Sequence, residues 1–322
     1  MAGPPLGPRI ASVNATCPPA HTTVDGLFEN YYMPLRLTGR SPRTIAVYRT
    51  ALNRWRLFAG PRPASRIDSA LIAAFQRRLL KDVGPASANT YCAHLMALLR
   101  FAADQDLGLL ARAPRWRKLK EPKRSPLAFT VQEFQKVLAC AQAWPGRIGA
   151  CPAGAWWTAL LLVCWETGLR YKALLLLRSI DVVWDSAGLF CQADTQKDKE
   201  AMWFDLPPHV LDAIRAIYEP ERELLFPRDV TIDTVGRRFR RILDHSGIYA
   251  PKGCGQRFHR IRRSKASYTE AMGGDATRAL GHSDRSVTER YFDPRIVGAA
   301  KQPFMPSPLL YSSEKPRFRI YG

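Results

Sequence analysis

The sequence predicts a mainly α-helical chain with a small β-sheet, folded as two domains. Three observations carry this. A length of 322 residues is about twice that of a common single domain. Apolar residues recur every three or four positions through 23–111 and again beyond 130, the period of helices with one buried face. Two short β-prone runs, Leu189-Phe190-Cys191 and Met202-Trp203-Phe204, flank a polar turn from Asp194 to Glu200 and read as a hairpin or three-stranded insertion among helices.

Residues 1–22 hold Pro4, Pro5, Pro8, Pro18 and Pro19 with little periodicity, the composition of a disordered arm. From 23 to 111 a compact four-helix domain is predicted. A short helix lies around Leu27–Tyr32. Ser41-Pro42 caps a second that carries Ile45, Tyr48, Leu52, Trp55 and Phe58. Asp68 opens a third with Leu71, Ile72, Phe75 and Leu79, and Tyr91, Leu95, Leu98 and Phe101 mark a fourth that ends near Gly108. Segment 112–126 is a basic linker: between Arg112 and Arg124 stand seven basic residues, one acid, two prolines and Trp116. It lies along phosphates or is a solvated tether. A second domain spans 127–302. Thr130 and Glu133 form a capping box, a long apolar helix covers Trp156–Trp165, and helices resume at His209, Thr234 and His259 after the insertion. Residues 303–322 are a Pro-rich basic tail.

Lys and Arg number 48 against 28 Asp and Glu, a net charge of +20 with a pI near 10.1. With 46% apolar residues the chain folds, so this charge is displayed on a surface that attracts polyanions, nucleic acid first. A solvated basic enzyme surface and an anionic membrane face are the alternatives. The start MAGPPLGPRI has no signal-peptide run and the stretch Ala155–Trp165 is too short to span a bilayer, which predicts a soluble cytoplasmic, nucleoid-associated protein. Cys17, Cys92, Cys140, Cys151, Cys164, Cys191 and Cys254 include no CxxC pair, so neither a disulfide framework nor a zinc site is indicated. There is no glycine-rich phosphate loop, and Gly273-Gly274 lacks the flanks of one, so ATP chemistry has no support.

Four segments carry chemistry: Glu166-Thr-Gly-Leu-Arg170, Thr195-Gln-Lys197-Asp-Lys199, His259-Arg-Ile-Arg262-Arg-Ser, and Leu280-Gly-His282-Ser followed nine residues later by Tyr291. In this order and spacing they resemble the tyrosine recombinase (phage integrase) family. Ser41-Pro-Arg-Thr-Ile-Ala-Val-Tyr48 also looks like the opening helix of that family's first domain. The residue types are coherent on their own. Two guanidiniums that fork onto phosphate oxygens, two imidazoles, an ammonium and a phenol suit phosphodiester transfer without a metal. A phenol of pKa about 10 must lose its proton as it attacks, so it needs a base and cationic surroundings.

The resemblance implies a helical core-binding (SAM-like) domain ahead of a mixed α+β catalytic domain, together clamping double-stranded DNA, with a homotetramer on two sites. It implies attack by Tyr291 on a DNA strand to give a 3′-phosphotyrosyl link and a free 5′-hydroxyl, with no cofactor. Arg170 and Arg262 then neutralise the phosphate, Lys197 protonates the leaving oxygen, His259 binds phosphate or takes the tyrosine proton, and His282 orients the phosphate. Each has a plainer reading as a surface charge, a loop histidine or a core aromatic. His259 and Arg262 are i and i+3 on one helix face. Lys199 shares a turn with Lys197, and counting back nine residues from Leu206 selects Lys197. Tyr311 and Tyr321 are the other candidate nucleophiles, but the spacing from His282 favours Tyr291. DNA-binding candidates are Arg43, the linker's Arg115, Arg117, Lys118, Lys120, Lys123 and Arg124, and the helix segment with Arg237, Arg238 and Arg241. Arg260 and Arg263 read as phosphate-positioning or solvated. One position departs from the family pattern: the acid usual three residues after the first arginine is Ala173, for which Glu166 is a candidate substitute. That departure keeps open a catalytically silent DNA-binding protein, and a type IB topoisomerase-like relaxing enzyme is a third reading.

Overall fold

The computed structural model describes residues 18–104, 107–122, 125–193, 200–249 and 257–298. Lys123, Arg124, Lys197, Lys199, Tyr311 and Tyr321 lie outside the described residues, as do 1–17 of the expected arm and the expected tail. The chain divides into two compact units, Met1–Lys123 and Arg124–Gly322. Among the described residues no helix is long and apolar enough to cross a membrane.

In the first unit, α1 (Val24–Leu27) runs through a π-helical turn, Phe28–Tyr32, into α2 (Met33–Arg36), so the short first helix extends further than its apolar spacing shows. Then come α3 (Pro42–Ala59), α4 (Ser69–Leu79) and α5 (Pro85–Ala102). The side chains of Ser41 and Asp68 accept the backbone N–H groups of Thr44 and Leu71, the capping that their sequence positions announce. Trp55, Ile72, Phe75, Leu95 and Leu99 fill the core between these helices. Helix α5 stops at Ala102, short of Gly108, because the Ala103 N–H is shared by the carbonyls of Leu99 and Arg100 and tightens the last turn. Residues 20–22, placed in the arm by composition, make hydrogen bonds: the Ala64 N–H donates to Thr22 and the Ser65 hydroxyl to Ala20.

The second unit begins with α6 (Val131–Gln142), whose capping box pairs Thr130 and Glu133 in both directions. A minimal hairpin of β1 (Arg147–Ile148) and β2 (Cys151–Pro152) leads into α7 (Ala153–Thr167). Trp156, Trp157, Leu160, Leu161, Val163 and Cys164 bury α7 on all sides, so it becomes the axis on which α6, α9 (Pro208–Arg215) and α11 (Phe258–Ala271) pack. After α8 (Tyr171–Leu174), strands β3 (Val182–Val183), β4 (Gly188–Cys191) and β5 (Met202–Asp205) form an antiparallel sheet in that order, with Leu189 opposite Phe204 and Cys191 opposite Met202. Helices α10 (Ile232–His245), α12 (Ala276–Ala279), α13 (Arg285–Glu289) and α14 (Pro294–Val297) complete the unit. A column of rings, Trp157 on Phe239, Phe239 on Phe258 at 4.5 Å and Phe258 on Tyr171 at 4.3 Å, runs from the axis to the first turn of α11.

Candidate active site

Helix α7 ends where Gly168 turns left-handed at φ +61°, which delivers Arg170 to the start of α8. A Cβ on Gly168 would stand 2.9 Å from Leu280 and 3.0 Å from Lys265, so a glycine allows this close approach as well as the turn. Arg262, on α11, stitches the two motif loops together. Its Nη1 donates to the Gly168 carbonyl at 2.6 Å and its Nη2 to the Leu280 carbonyl at 2.8 Å. Burial pushes its pKa down to about 10, and the neighbouring Arg170 adds to this, yet it stays cationic at neutral pH.

Arg262 Nη2 also lies 3.0 Å from His282 Nε2. A guanidinium only donates, so Nε2 accepts; the imidazole then carries its proton on Nδ1, which donates to Thr288 Oγ1 at 2.9 Å. Thr288 thereby sets the tautomer of His282. Nothing in the sequence pattern singles it out.

Tyr291 stands between the two histidines, its ring centroid 5.0 Å from that of His259 and 5.2 Å from that of His282, with the Arg262 guanidinium 6.0 Å above it. Partial burial of the His259 ring, reinforced by Arg263, Arg262, Arg170 and His282, pushes its pKa down to about 4. His259 is therefore neutral at physiological pH and able to accept a proton, although the residue keeps an open, solvent-facing edge. The structure thus gathers Arg170, His259, Arg262, His282 and Tyr291 in one place.

Ala173 is buried in the core of the unit. Glu166, the candidate substitute for the acid, sits at the end of α7. It faces a cleft of about 460 Å³ with Val131, Trp165, Lys265, Tyr268 and Met272, a cleft that none of the gathered residues lines.

Arg260 requires a correction. It is neither solvated nor free for phosphate: 2% exposed, it pairs with Glu133 at 2.6 Å, donates twice to the Ala128 carbonyl and stacks on Phe129 at 4.0 Å. Arg263 is half-buried and adds to the positive field on His259. Arg43, Arg237 and Arg241 are exposed; Arg238 is half-buried, and Arg241 lies over Trp144 at 5.8 Å.

The segment after Arg112 is fastened to the first unit. Asn89, buried on α5, brackets Leu119: its Nδ2 donates to the Leu119 carbonyl and its Oδ1 accepts the Leu119 N–H. Ser69 accepts the Arg115 N–H, and Gln76 donates to the Arg117 carbonyl. Trp116 and Leu119 turn inward onto the core, leaving Arg112, Arg115, Arg117, Lys118 and Lys120 exposed. The sequence signal that was available is an Asn, a strong polar residue, in the interior of an otherwise apolar helix face.

The family model described as "Phage integrase family" matches residues 129–296, just over half of the chain. The chain belongs to the phage integrase family. The tyrosine recombinase XerA of Thermococcus onnurineus is 24% identical over 281 residues, covering 83% of this chain and 90% of that protein. A putative tyrosine recombinase XerC of Pseudomonas syringae is 22% identical over 192 residues, 58% of this chain. The chain spans about two-fifths of the length of that Pseudomonas relative, 41%. Among solved structures, a lambda integrase dimer bound to a COC′ core site superposes with a TM-score of 0.70 at 20% identity over 88% of this chain and 81% of that one. The Tn1549 transposon integrase in complex with circular intermediate DNA superposes at 0.64 with 16% identity, over 84% and 95%. These likenesses show that this integrase-family chain has the fold of those proteins.

Proposed function

We propose that this phage integrase family member is a site-specific DNA recombinase that cuts and rejoins strands through Tyr291. The phenol oxygen attacks the scissile phosphorus as the P–O5′ bond breaks, giving a 3′-phosphotyrosyl link. His259 accepts the phenol proton, and Lys197 gives a proton to the leaving 5′-oxygen. Arg170 and Arg262 neutralise the charge that builds on the phosphate, and His282, its Nδ1–H held by Thr288, takes up a proton at Nε2 and donates it in a hydrogen bond to a phosphate oxygen once Arg262 turns toward the phosphate. The phosphotyrosyl link conserves the energy of the broken ester, so rejoining by a 5′-hydroxyl needs no cofactor. Double-stranded DNA is the partner, and a homotetramer on two sites is the assembly; a lambda integrase tetramer bound to a Holliday junction is one of the solved structures similar to this chain. The exposed strip from Arg112 to Lys120, with Arg43, Arg237 and Arg241, supplies phosphate contacts. Such a protein works in the cytoplasm on the nucleoid.

The observation that carries this reading is the convergence of His259, His282 and Arg262 on the Tyr291 ring at 5.0, 5.2 and 6.0 Å. The test is a nicked duplex made from the DNA flanking the gene, which traps cleavage because the short 5′ strand diffuses away. Denaturation-resistant adduct at Tyr291, lost in Tyr291→Phe, is expected; adduct that persists in Tyr291→Phe overturns the assignment. A second reading, a silent DNA-binding protein, is favoured by buried Ala173 where an acid would be expected. Tight binding with no adduct on the same duplex would select it.

A further inference from the structure

We infer that Asp293 is the positioning residue for Tyr291, a buried carboxylate that anchors the nucleophile's segment from behind; this rests on the reading of Tyr291 as nucleophile. Tyr291 lies on a turn between α13 and α14, helices of five and four residues. Neither is long enough to hold a position by its own backbone bonds. The ring's place between His259 and His282 therefore depends on side-chain ties.

Those ties meet at Asp293, which is fully buried. Its Oδ2 accepts the Ala128 N–H at 2.8 Å, and Arg295 forks onto both oxygens, Nη2 to Oδ2 at 2.7 Å and Nε to Oδ1 at 3.1 Å. The Asp293 N–H donates to Ser267 Oγ at 2.9 Å, and that hydroxyl donates to the Tyr291 carbonyl at 3.3 Å. The wall behind is rigid. The Ala128 carbonyl takes bonds from Arg260 and Arg295, Glu133 faces both arginines, and Ser264 holds Phe129. Arg260, Ser264 and Ser267 share one face of α11, while His259 and Arg262 use another, so a single helix fixes both the acid–base groups and the chain that carries the phenol. Burial alone would raise the Asp293 pKa, but Arg295 and the Ala128 amide hold it below the usual carboxylate value.

The test uses the full chain with Asp293→Asn and Asp293→Ala, and Asp212→Asn, an exposed position on α9, as a control. On the nicked duplex from the gene's flanking DNA, the single-turnover rate of adduct formation falls about 100-fold in Asp293→Ala and less in Asp293→Asn, because misplacement near 1 Å costs that much. The dissociation constant for the same duplex stays within about twofold, since no phosphate contact is removed. A 3-fluorotyrosine placed at 291 gives one ¹⁹F resonance in the parent and a shifted, broadened one in both Asp293 variants, while the same probe at Tyr218 is unchanged. An unmoved resonance at 291 in Asp293→Ala overturns the proposal. So does a parallel fall of rate and affinity with the Tyr218 probe disturbed, which would make Asp293 a fold-maintaining residue only. If the parent forms no adduct, the nucleophile reading fails on that count, and the ¹⁹F spectra still decide whether Asp293 places the ring.

Discussion

The basic strip Arg112–Lys120 and the arginines of α11 contribute alike to the net charge of +20, yet they do opposite things. In the strip the backbone is bonded inward and the charged ends face water. In α11 the backbone is helical and the guanidiniums of Arg260 and Arg262 are each 2% exposed, spent on carbonyls, Glu133 and a histidine. Displayed charge recruits a polyanion at modest structural cost; buried charge organises a site and becomes a structural necessity. A count of basic residues does not separate the two, but the helix face does.

The largest effect that sharpens this contrast is on stability. Arg260→Ala should cost about 3 kcal/mol in urea unfolding by removing a buried side chain that bonds the Ala128 carbonyl, stacks on Phe129 and pairs with Glu133, which keeps Arg295 at 3.8 Å, whereas Arg115→Gln should change it by less than about 0.5 kcal/mol. Equal losses would break the distinction. Next, replacing Arg115, Arg117, Lys118 and Lys120 by Gln should lower the slope of log affinity against log salt by about 3.6, close to 0.9 per contact, with folding intact; anisotropy titrations over a salt series read this, and an unchanged slope would remove the strip from the interface. Asn89→Leu should destabilise by about 1–3 kcal/mol, because it orphans the backbone groups of Leu119, and should weaken duplex binding without altering any charge.

A smaller change is expected for Thr288→Val, about 1 kcal/mol in stability. Its adduct rate on the nicked duplex should fall while affinity holds, as the His282 tautomer is released. The last concerns pH. His259 has a folded-state pKa of about 4, below its ordinary 6.5, so unfolding takes up a proton between these values. The stability tied to its neutral form is complete above 6.5 and is lost as pH falls toward 4. An NMR titration of the free chain should place the midpoint well below 6.5, and a bound duplex should raise it by setting a phosphate among the surrounding cations.

Helix starts were legible because a cap is a local signal: Ser41, Asp68 and Thr130 each accept the backbone N–H that their type and place require. The gathering of Arg170, His259, Arg262, His282 and Tyr291 was legible through the family resemblance that the order and spacing of their segments carry. The end of α5 was not, since a tightened last turn needs no glycine. The π-helical turn at Phe28–Tyr32 leaves no mark in apolar spacing. Arg260 misled because basic residues are ordinarily exposed, whereas Glu133 and the Ala128 carbonyl, 127 and 132 residues away, and the Phe129 ring bury it. Thr288, Asp293 and Asn89 act through side-chain hydrogen bonds to particular partners, six residues off for Thr288 and as far as 165 and 30 residues off for Asp293 and Asn89, which composition does not register.

The tie between Asp293 and Ala128 also bears on where the chain can be divided. A catalytic fragment begun at Phe129 would retain the core around α7 and each of the gathered site residues, yet it would lack the amide that Asp293 grips and the carbonyl that Arg260 and Arg295 share. It would also place a new terminal ammonium beside those two arginines. Such a fragment would hold its nucleophile by the Ser267 and Arg295 bonds alone, and moving its start a few residues upstream of Ala128 would restore the rest of the mooring.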